Sequence, residues 1–306
     1  MAFIQRLGHP YVLLTLCVLF WSANFVVGRA VSGDIPPIAL SFWRWVVASL
    51  VLLPWAIKPL KRQWPLLRQY FWRMCLLSLL GVTAFNTLVY IGLQETSAIN
   101  ALLLQSTMPV QIIALNWLIY RKRSSLGDGV SILLSLLGVS FILGAGEPLK
   151  LLQGQWSQGD LWVLAAVLVW ALYSLFLRWR PVELEPMTFL GFILPFGTLA
   201  IFPLWLWELS TGAVTVVSQE SLLAIAYVGV FPSVFSYLLW NRGVAEVGAN
   251  RAGHFIHLNP VFGSLLAIVF LDEIFEWYHA LGAGLVALAI GMTLLFTRKI
   301  KIGEGR

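Results

Sequence analysis

The sequence predicts an all-α polytopic membrane protein, with ten transmembrane helices arranged as two inverted five-helix repeats. Composition points to the membrane. Of the 306 residues, 59% are hydrophobic and 11% are charged, against about 25% charged in a soluble domain. A soluble fold would leave most of that apolar surface with nothing to bury against. Block length points to helices. The apolar residues fall in ten runs, each of roughly 18–23 residues, the length that crosses ~30 Å of hydrocarbon at ~1.5 Å per residue. Inside hydrocarbon each run must satisfy its own backbone, which excludes isolated strands.

An internal repeat sets the arrangement. Gly92-Leu93-Gln94-Glu95 returns as Gly243-Val244-Ala245-Glu246, and at the same offset of 151 Ala98, Ala101, Pro109 and Val110 return as Ala249, Ala252, Pro260 and Val261. Nearer the N-terminus the offset is 149, pairing Trp21 with Trp170, Pro37 with Pro186 and Pro54 with Pro203; nearer the C-terminus it is 153, pairing Gly138 with Gly291. Each match is weak alone, but the drift runs steadily in one direction. Five segments per copy is an odd number, so the second copy enters the membrane from the opposite side. Two such halves can rock about a central site and open it to either side. The boundaries are residues 1–146 for the first repeat, 147–159 for a Gly- and Gln-containing outer loop, and 160–306 for the second repeat with a cytoplasmic C-terminal tail.

Segment 1 (11–31) carries Trp21 and Asn24 within Phe20-Trp21-Ser22-Ala23-Asn24. No small-residue cleavage site ends its apolar run, so it reads as a spanning helix rather than a signal peptide. Segment 2 (36–57) carries Trp43 and Arg44. Arg44 either snorkels to the outer headgroups or is a buried cation that binds a carboxylate or pairs across helices. Buried, it needs a partner or water, because an isolated charge at that depth costs several kcal/mol. In segment 3 (73–94), Asn86 and Tyr90 are four apart and share a helix face. In segment 4 (97–120), Gln105, Pro109, Ile112 and Asn116 form one stripe. Segment 5 spans 127–145. Segment 6 (160–179) brings Trp170 and Tyr173, segment 7 spans 186–207, and segment 8 (220–241) brings Ser233, Tyr237 and Trp240.

Segment 9 (248–271) holds His254, His257 and Pro260. Pro109 and Pro260 occupy equivalent mid-segment positions, where each removes one helical hydrogen bond and frees a carbonyl. Each is a static kink or a hinge. His254 and His257 are three apart; they are packing groups, or one is a protonation site. A third metal ligand in register is missing. Glu95 and Glu273 lie at the outer ends of segments 3 and 9, as solvated loop carboxylates or as an outer gate or proton site. In segment 10 (277–297), Ala283, Ala287 and Gly291 follow small-xxx-small spacing, which suits close packing on segment 5 or on a second protomer. Among the 15 tryptophans, most need only the interfacial aromatic belt. Trp21, Trp43, Trp170 and Trp240 are deeper or adjoin polar groups, and suit a pocket wall.

Charge gives the topology. With a cytoplasmic N-terminus, 17 of the 20 Lys and Arg fall on the cytoplasmic side, the outer side holds only Arg29 and Lys150, and Arg44 lies within segment 2. This is the positive-inside pattern. It predicts a multi-pass protein of the cell inner (cytoplasmic) membrane with both termini cytoplasmic. The net charge of +6 is explained by this topology and gives no sign of nucleic acid. Cys17 and Cys75 suggest neither a disulfide scaffold nor a metal site. No HExxH, GxSxG or phosphate-binding glycine loop is present, so neither an enzyme nor a cofactor is indicated. The expected partners are the bilayer and a small-molecule solute. Oligomeric state is not legible.

The chain resembles the EamA family of the drug/metabolite transporter superfamily, in both repeats. The resemblance is carried by Phe20-Trp21-Ser22-Ala23-Asn24-Phe25, Ser41-Phe42-Trp43-Arg44, the stretch from Tyr90-Ile91-Gly92-Leu93 to Pro109, Asn259-Pro260-Val261 and Leu271-Asp272-Glu273. One departure stands out: the first repeat has Tyr120-Arg121-Lys122 where the second has Leu271-Asp272-Glu273, so symmetric acidic gates are not expected. The resemblance implies a cavity built by segments 1, 3, 4, 6, 8 and 9, and export or exchange of small metabolites, amino acids among them. Toxic-compound efflux is the alternative. Carboxylates deep in the helices usually serve cationic drugs and none is evident, whereas Arg44 favours an anionic or zwitterionic solute.

Overall fold

The computed structural model describes residues 8–121, 126–154, 156–247, 252 and 254–303, with side chains at all of these except 126–128, 254 and 293–303. The His254 imidazole and Ala249 lie outside the described residues. No strand occurs among the described residues. In chain order the helices are α1 (Pro10–Ala30), α2 (Pro37–Arg62), α3 (Phe71–Gly92), α4 (Ala98–Gln105), α5 (Met108–Tyr120), α6 (Leu126–Leu143), α7 (Gln158–Trp179), α8 (Pro186–Ser210), α9 (Gln219–Val247), α10 (Asn259–Leu271) and α11 (Trp277–Gly303). Six of them, α1, α2, α3, α7, α8 and α9, are each long and apolar enough to cross a membrane. The bent pair α4–α5, whose halves meet at 42°, makes a seventh, and three shorter apolar helices run over Gly129–Leu143, Phe255–Leu271 and Trp277–Met292. Large apolar side chains such as Trp72, Leu118, Leu133 and Phe270 face outward, as a surface wetted by lipid requires.

The helix starts follow from local chemistry. Pro10, Pro37 and Pro186 stand in the first turns of α1, α2 and α8, where a missing N–H costs nothing. Ser97 and Ser218 cap α4 and α9 by accepting from the amides of Asn100 and Ser221. Two further caps come from other helices. Glu208, near the end of α8, accepts from the amides of Ile38 and Ala39 at 2.9 and 2.7 Å. Glu273, just after α10, accepts from Ala98 and Ile99 at 2.7 and 2.9 Å. Each carboxylate satisfies two orphan donors and meets the positive end of the helix dipole.

Pro109 and Pro260 do not bend continuous helices. Each lies in the first turn of a new helix, α5 or α10, and the break falls just before it. At the first break the carbonyls of Leu103 and Leu104 accept from the backbone amides of Ser106 and Thr107 and also from their hydroxyls, the latter at 2.5 and 2.7 Å. At the second, a 3-10 turn over His254–Leu258 leads into α10. The helices that follow are both 13 residues long, and both end on left-handed residues, Arg121 (φ 48°) and Asp272 (φ 52°). Two longer helices carry a π-helical turn near their middle: Leu79–Ala84 in α3 and Phe231–Phe235 in α9.

The most extensive helix contacts are α2 along α8 and α6 along α11. The second pair approaches closely because Gly138 sits against the Gly282 carbonyl; a Cβ on Gly138 would fall 2.8 Å from that oxygen. The contact face of α11 is built by Gly282, Val286 and Ala289, whereas Gly284 and Gly291 border open space. The small-residue spacing seen in the sequence thus only partly coincides with the packed face. Gly282 forms that face, and Ala283 packs against the core beside it.

Candidate functional site

Arg44 lies on α2 with 4% of its surface exposed. Its Nε donates to Ser233 Oγ at 2.6 Å. Its Nη1 faces Asn24 Oδ1 at 2.9 Å, Asn86 Oδ1 at 2.6 Å and Tyr90 Oη at 2.9 Å, and Tyr90 in turn donates to Asn24 Oδ1 at 2.8 Å. Ser233 gives its own proton to the Val228 carbonyl at 2.7 Å, which leaves a lone pair for the guanidinium. The π-helical turn of α9 supplies Ser233, and Asn86 and Tyr90 follow the π-helical turn of α3. The guanidinium carbon also lies 4.7 Å from the Trp45 ring centre, a cation–π distance.

Every acceptor in this cage is neutral. The ion pairs among the described residues are Arg62–Glu185, Lys150–Glu147 and Arg242–Glu246; none involves Arg44. None of the hydrogen bonds among the described residues uses Arg44 Nη2. Neutral dipoles stabilise the charge without cancelling it. The centre of α1, α2, α3 and α9 therefore carries an uncompensated positive field.

A second polar cluster joins the two helix breaks. The Ser22 hydroxyl lies 2.6 Å from Asn259 Oδ1 and also reaches the Val18 and Asn259 carbonyls at 2.9 and 3.0 Å. Asn259 Nδ2 donates to Gln105 Oε1 at 2.7 Å. Asn259 opens α10 and Gln105 closes α4, so one amide pair ties both breaks to α1.

Aromatic side chains frame these clusters. Trp21 donates through Nε1 to the Pro232 carbonyl at 3.2 Å, and packs on Trp240 and Tyr237 with ring centres 5.4 and 6.3 Å away. Trp170 packs on Phe85 and Tyr173 at 4.5 and 5.0 Å. Trp43, adjacent to Arg44 in sequence, points into a different group and packs edge-on against Trp205 of α8 at 5.6 Å. His257 is exposed on the 3-10 turn, and Glu95 is exposed, its carbonyl accepting from Ser157. Glu273 is half-buried and caps α4, as described above.

The end of the molecule that holds Glu273 contains buried groups the sequence reading missed. Asp160 on α7 is 2% exposed and His279 on α11 is 4% exposed. Asp160 accepts from the Thr96 hydroxyl and, at 3.4 and 3.5 Å, from Asn100 Nδ2. His279 Nδ1 accepts from the Glu276 amide at 2.9 Å, so its proton sits on Nε2 and points at Asn100 Oδ1, 2.9 Å away. Arg29 donates to the carbonyls of Leu93 and Gln94 at 2.9 and 3.0 Å. Packing is tight at this end: six of the eight residues of α4 are buried. Across the break only Val110 of α5 is buried. The molecule is thus sealed around α4 and loose around α5.

The model of the EamA-like transporter family matches the chain twice, over residues 9–144 and 157–295. An uncharacterized transporter of Archaeoglobus fulgidus is 25% identical over 288 residues, covering 92% of this chain and 96% of the relative. The uncharacterized transporter YetK of Bacillus subtilis is 28% identical over 299 residues, covering 95% of this chain and 88% of the relative. A crystal structure with 18% sequence identity superposes with a TM-score of 0.61, covering 95% of this chain and 98% of its own. That likeness concerns the fold alone.

Proposed function

The chain belongs to the EamA-like transporter family, and from that premise we propose that it carries a small carboxylate-bearing metabolite, such as an amino acid, across the membrane by alternating access. The observation behind this reading is Arg44: a buried cation in a cage of neutral acceptors, with Nη2 uncommitted. A solute carboxylate that reached Nη2 would meet a charge no protein carboxylate has neutralised. Asn24, Asn86 and Tyr90 hold the guanidinium in place. Trp21, Tyr237 and Trp240, together with Trp170 and Tyr173, offer aromatic walls for the rest of the solute. Gln105 supplies an amide beside them. Efflux of cationic drugs fits less well, because the centre is itself cationic.

The same reading treats the ten apolar segments as two inverted repeats, residues 1–146 and 160–306 joined by 147–159. Supporting it are the equal helices α5 and α10 with matched left-handed ends, 151 residues apart, and the paired π-helical turns of α3 and α9. Pro109 and Pro260 then act as hinges, with α5 as the moving half. Glu273 is a gate at the sealed end. On the same reading both termini lie in the cytoplasm and the protein sits in the cell inner membrane, which the distribution of basic residues supports.

Uptake into vesicles containing the purified protein tests this. Amino acids should show saturable flux, and their carboxamides, which lack the carboxylate, should compete poorly. Equal handling of acid and amide would remove Arg44 as the binding group while leaving transport intact. No flux for any member of a broad solute panel, with or without a pH gradient, would remove the transport reading itself.

A further inference from the structure

We propose that the surface joining α2 to α3 binds the headgroup of an anionic phospholipid, with Lys58, Lys61 and Arg68 as its ligands. This surface lies apart from the Arg44 cage and is independent of what the protein carries. Both α2 and α3 are long and apolar enough to cross a membrane, and α2 ends at Arg62 shortly before α3 begins at Phe71. The link between two such spans lies at the headgroup level of one leaflet. A short helix, Trp64–Gln69, fills it. Its Leu67 is buried and fastens it to the bundle, whereas Trp64 and Arg68, one turn apart, are exposed. The last turns of α2 repeat the pairing of tryptophan with cation. Trp55, Lys58 and Arg62 stand at i, i+3 and i+7, so they share one face, and all three are exposed.

The cations here lack counter-charges. Among the described residues Lys58, Lys61 and Arg68 make no ion pair, and Glu185 is committed to Arg62. Lys58 also repels Lys61 and Arg62, its neighbours three and four positions on along the helix. An anion seated among them would remove that repulsion. The aromatic side chains say which anion. Trp55, Trp64 and Trp72 are 58%, 49% and 81% exposed. In water that is a costly apolar surface, but at headgroup level each ring sits between acyl chains and phosphates. Lysine and arginine beside such rings lay their stems along apolar surface and deliver their charge to the phosphate layer. A nucleic acid or an acidic peptide would meet the same charges, but only by displacing the headgroups that two spanning helices already bring there. A zwitterionic headgroup offers a phosphate too, yet its amine faces the same cations. An anionic headgroup is free of that repulsion.

Photolabelling in phosphatidylcholine nanodiscs tests the assignment, with trace phosphatidylglycerol or phosphatidylcholine carrying a diazirine at the top of the same acyl chain. The two probes differ only in the headgroup. Phosphatidylglycerol should label the segment from Trp55 to Arg73 at least roughly fivefold more than phosphatidylcholine, the weight of one cation near an anionic headgroup. Raising the salt from about 0.1 to about 0.5 M should shrink that preference. The triple variant Lys58→Gln, Lys61→Gln, Arg68→Gln should abolish it and leave phosphatidylcholine labelling unchanged, which also reports that the variant is folded and inserted. The charge-keeping variant Lys58→Arg, Lys61→Arg, Arg68→Lys should retain it. Equal labelling of the wild type by both probes would overturn the proposal, and the surface would then be a solvated charged face or a dock for a soluble acidic partner. An equal preference at every basic segment, the pattern of a diffuse surface potential, would overturn it as well. So would a preference that survives the triple variant. The wild-type comparison decides the matter even where a variant fails to fold.

Discussion

Arg44 shows how much one side chain can organise. Its cage draws on residues 20 to 189 positions away in sequence, so the cation is a tertiary hub as well as a candidate ligand. Replacement by lysine keeps the charge but loses the fork that reaches Ser233 and Asn24 together. Arg44→Lys should still fold and should raise the half-saturating solute concentration by about tenfold, the effect of one lost charge-assisted contact; concentration-dependent uptake measures this. Arg44→Ala leaves Asn24, Asn86 and Ser233 without their common donor, and should lower both uptake and the thermal midpoint. Tyr90→Phe removes the hydroxyl between Arg44 and Asn24, and should cost about 1–3 kcal/mol of stability, read by thermal unfolding in detergent. At this scale the sequence was informative for a physical reason: polar groups inside spanning segments must face protein, water or ligand. Asn24, Asn86, Tyr90 and Ser233 all stood out on that ground, and they meet at Arg44. Trp43 stood out too, but adjacency in sequence turns it about 100° from Arg44 around the helix, toward Trp205. Glu208 and Asp160 did not stand out, because acids near a segment end look solvated, and the partners of Glu208 are backbone amides that leave no mark in sequence.

The six long helices were legible from apolar run length alone, whereas the run 97–120 is broken into α4 and α5. The run 11–31 is α1 (Pro10–Ala30), and the run 186–207 lies within α8 (Pro186–Ser210). The internal geometry of the helices was less legible. Proline in a long apolar run suggests a kink, yet α2 and α8 keep Pro54, Pro59, Pro195 and Pro203 within continuous helices, while Pro109 and Pro260 open new ones. At the Pro109 break Ser106 and Thr107 turn back on the Leu103 and Leu104 carbonyls with both amide and hydroxyl, so the turn satisfies its own backbone. Pro109→Ala tests whether that break moves. Its N–H is not needed in a first turn, so the thermal midpoint should shift by less than about 1 kcal/mol in stability. A hinge role requires the maximal uptake rate to fall; an unchanged rate with an unchanged midpoint would mean the break is static. The π-helical turn of α3 was invisible in sequence, since nothing in Leu79–Ala84 departs from helical periodicity, whereas that of α9 holds Pro232, which cannot donate an i→i−4 bond. Close packing of α6 on α11 makes a further case at this scale. Gly138→Leu would drive a side chain into the Gly282 carbonyl, and should destabilise the protein by roughly 1–3 kcal/mol, seen as a lowered midpoint.

Across the whole molecule the ties are unevenly distributed. The pair α2–α8 is fastened at both ends: Glu208 caps α2 at one, and at the other Gln63 accepts from the Glu185 amide at 3.0 Å while Arg62 pairs with Glu185. The path from α4 to α5 is hydrogen-bonded at its start by Glu273 and the Asp160–Asn100–His279 chain, and at its break by Asn259 to Gln105, while at its far end Arg178 stacks on the Tyr120 ring. A structure held this way can open around α4 without disturbing α2–α8, provided the Glu273 cap is released. Glu273→Ala removes two charge-assisted hydrogen bonds and a favourable helix-dipole contact, together about 1–3 kcal/mol. That is enough to shift a two-state population by roughly tenfold or more. Cysteines introduced at the sealed end, one at exposed Glu95 and one at buried Ala101, report the shift through their reaction with a membrane-impermeant maleimide. The native Cys17 and Cys75 are buried and add little background. In Glu273→Ala the cysteine at 101 should react at least several-fold faster, and the one at 95, already exposed, should not change. Glu208→Ala should lower stability without this acceleration, because α2–α8 keeps its second tie. Equal acceleration by both variants would mean that the sealed end loosens as a unit, and α2–α8 would lose its place as the fixed frame.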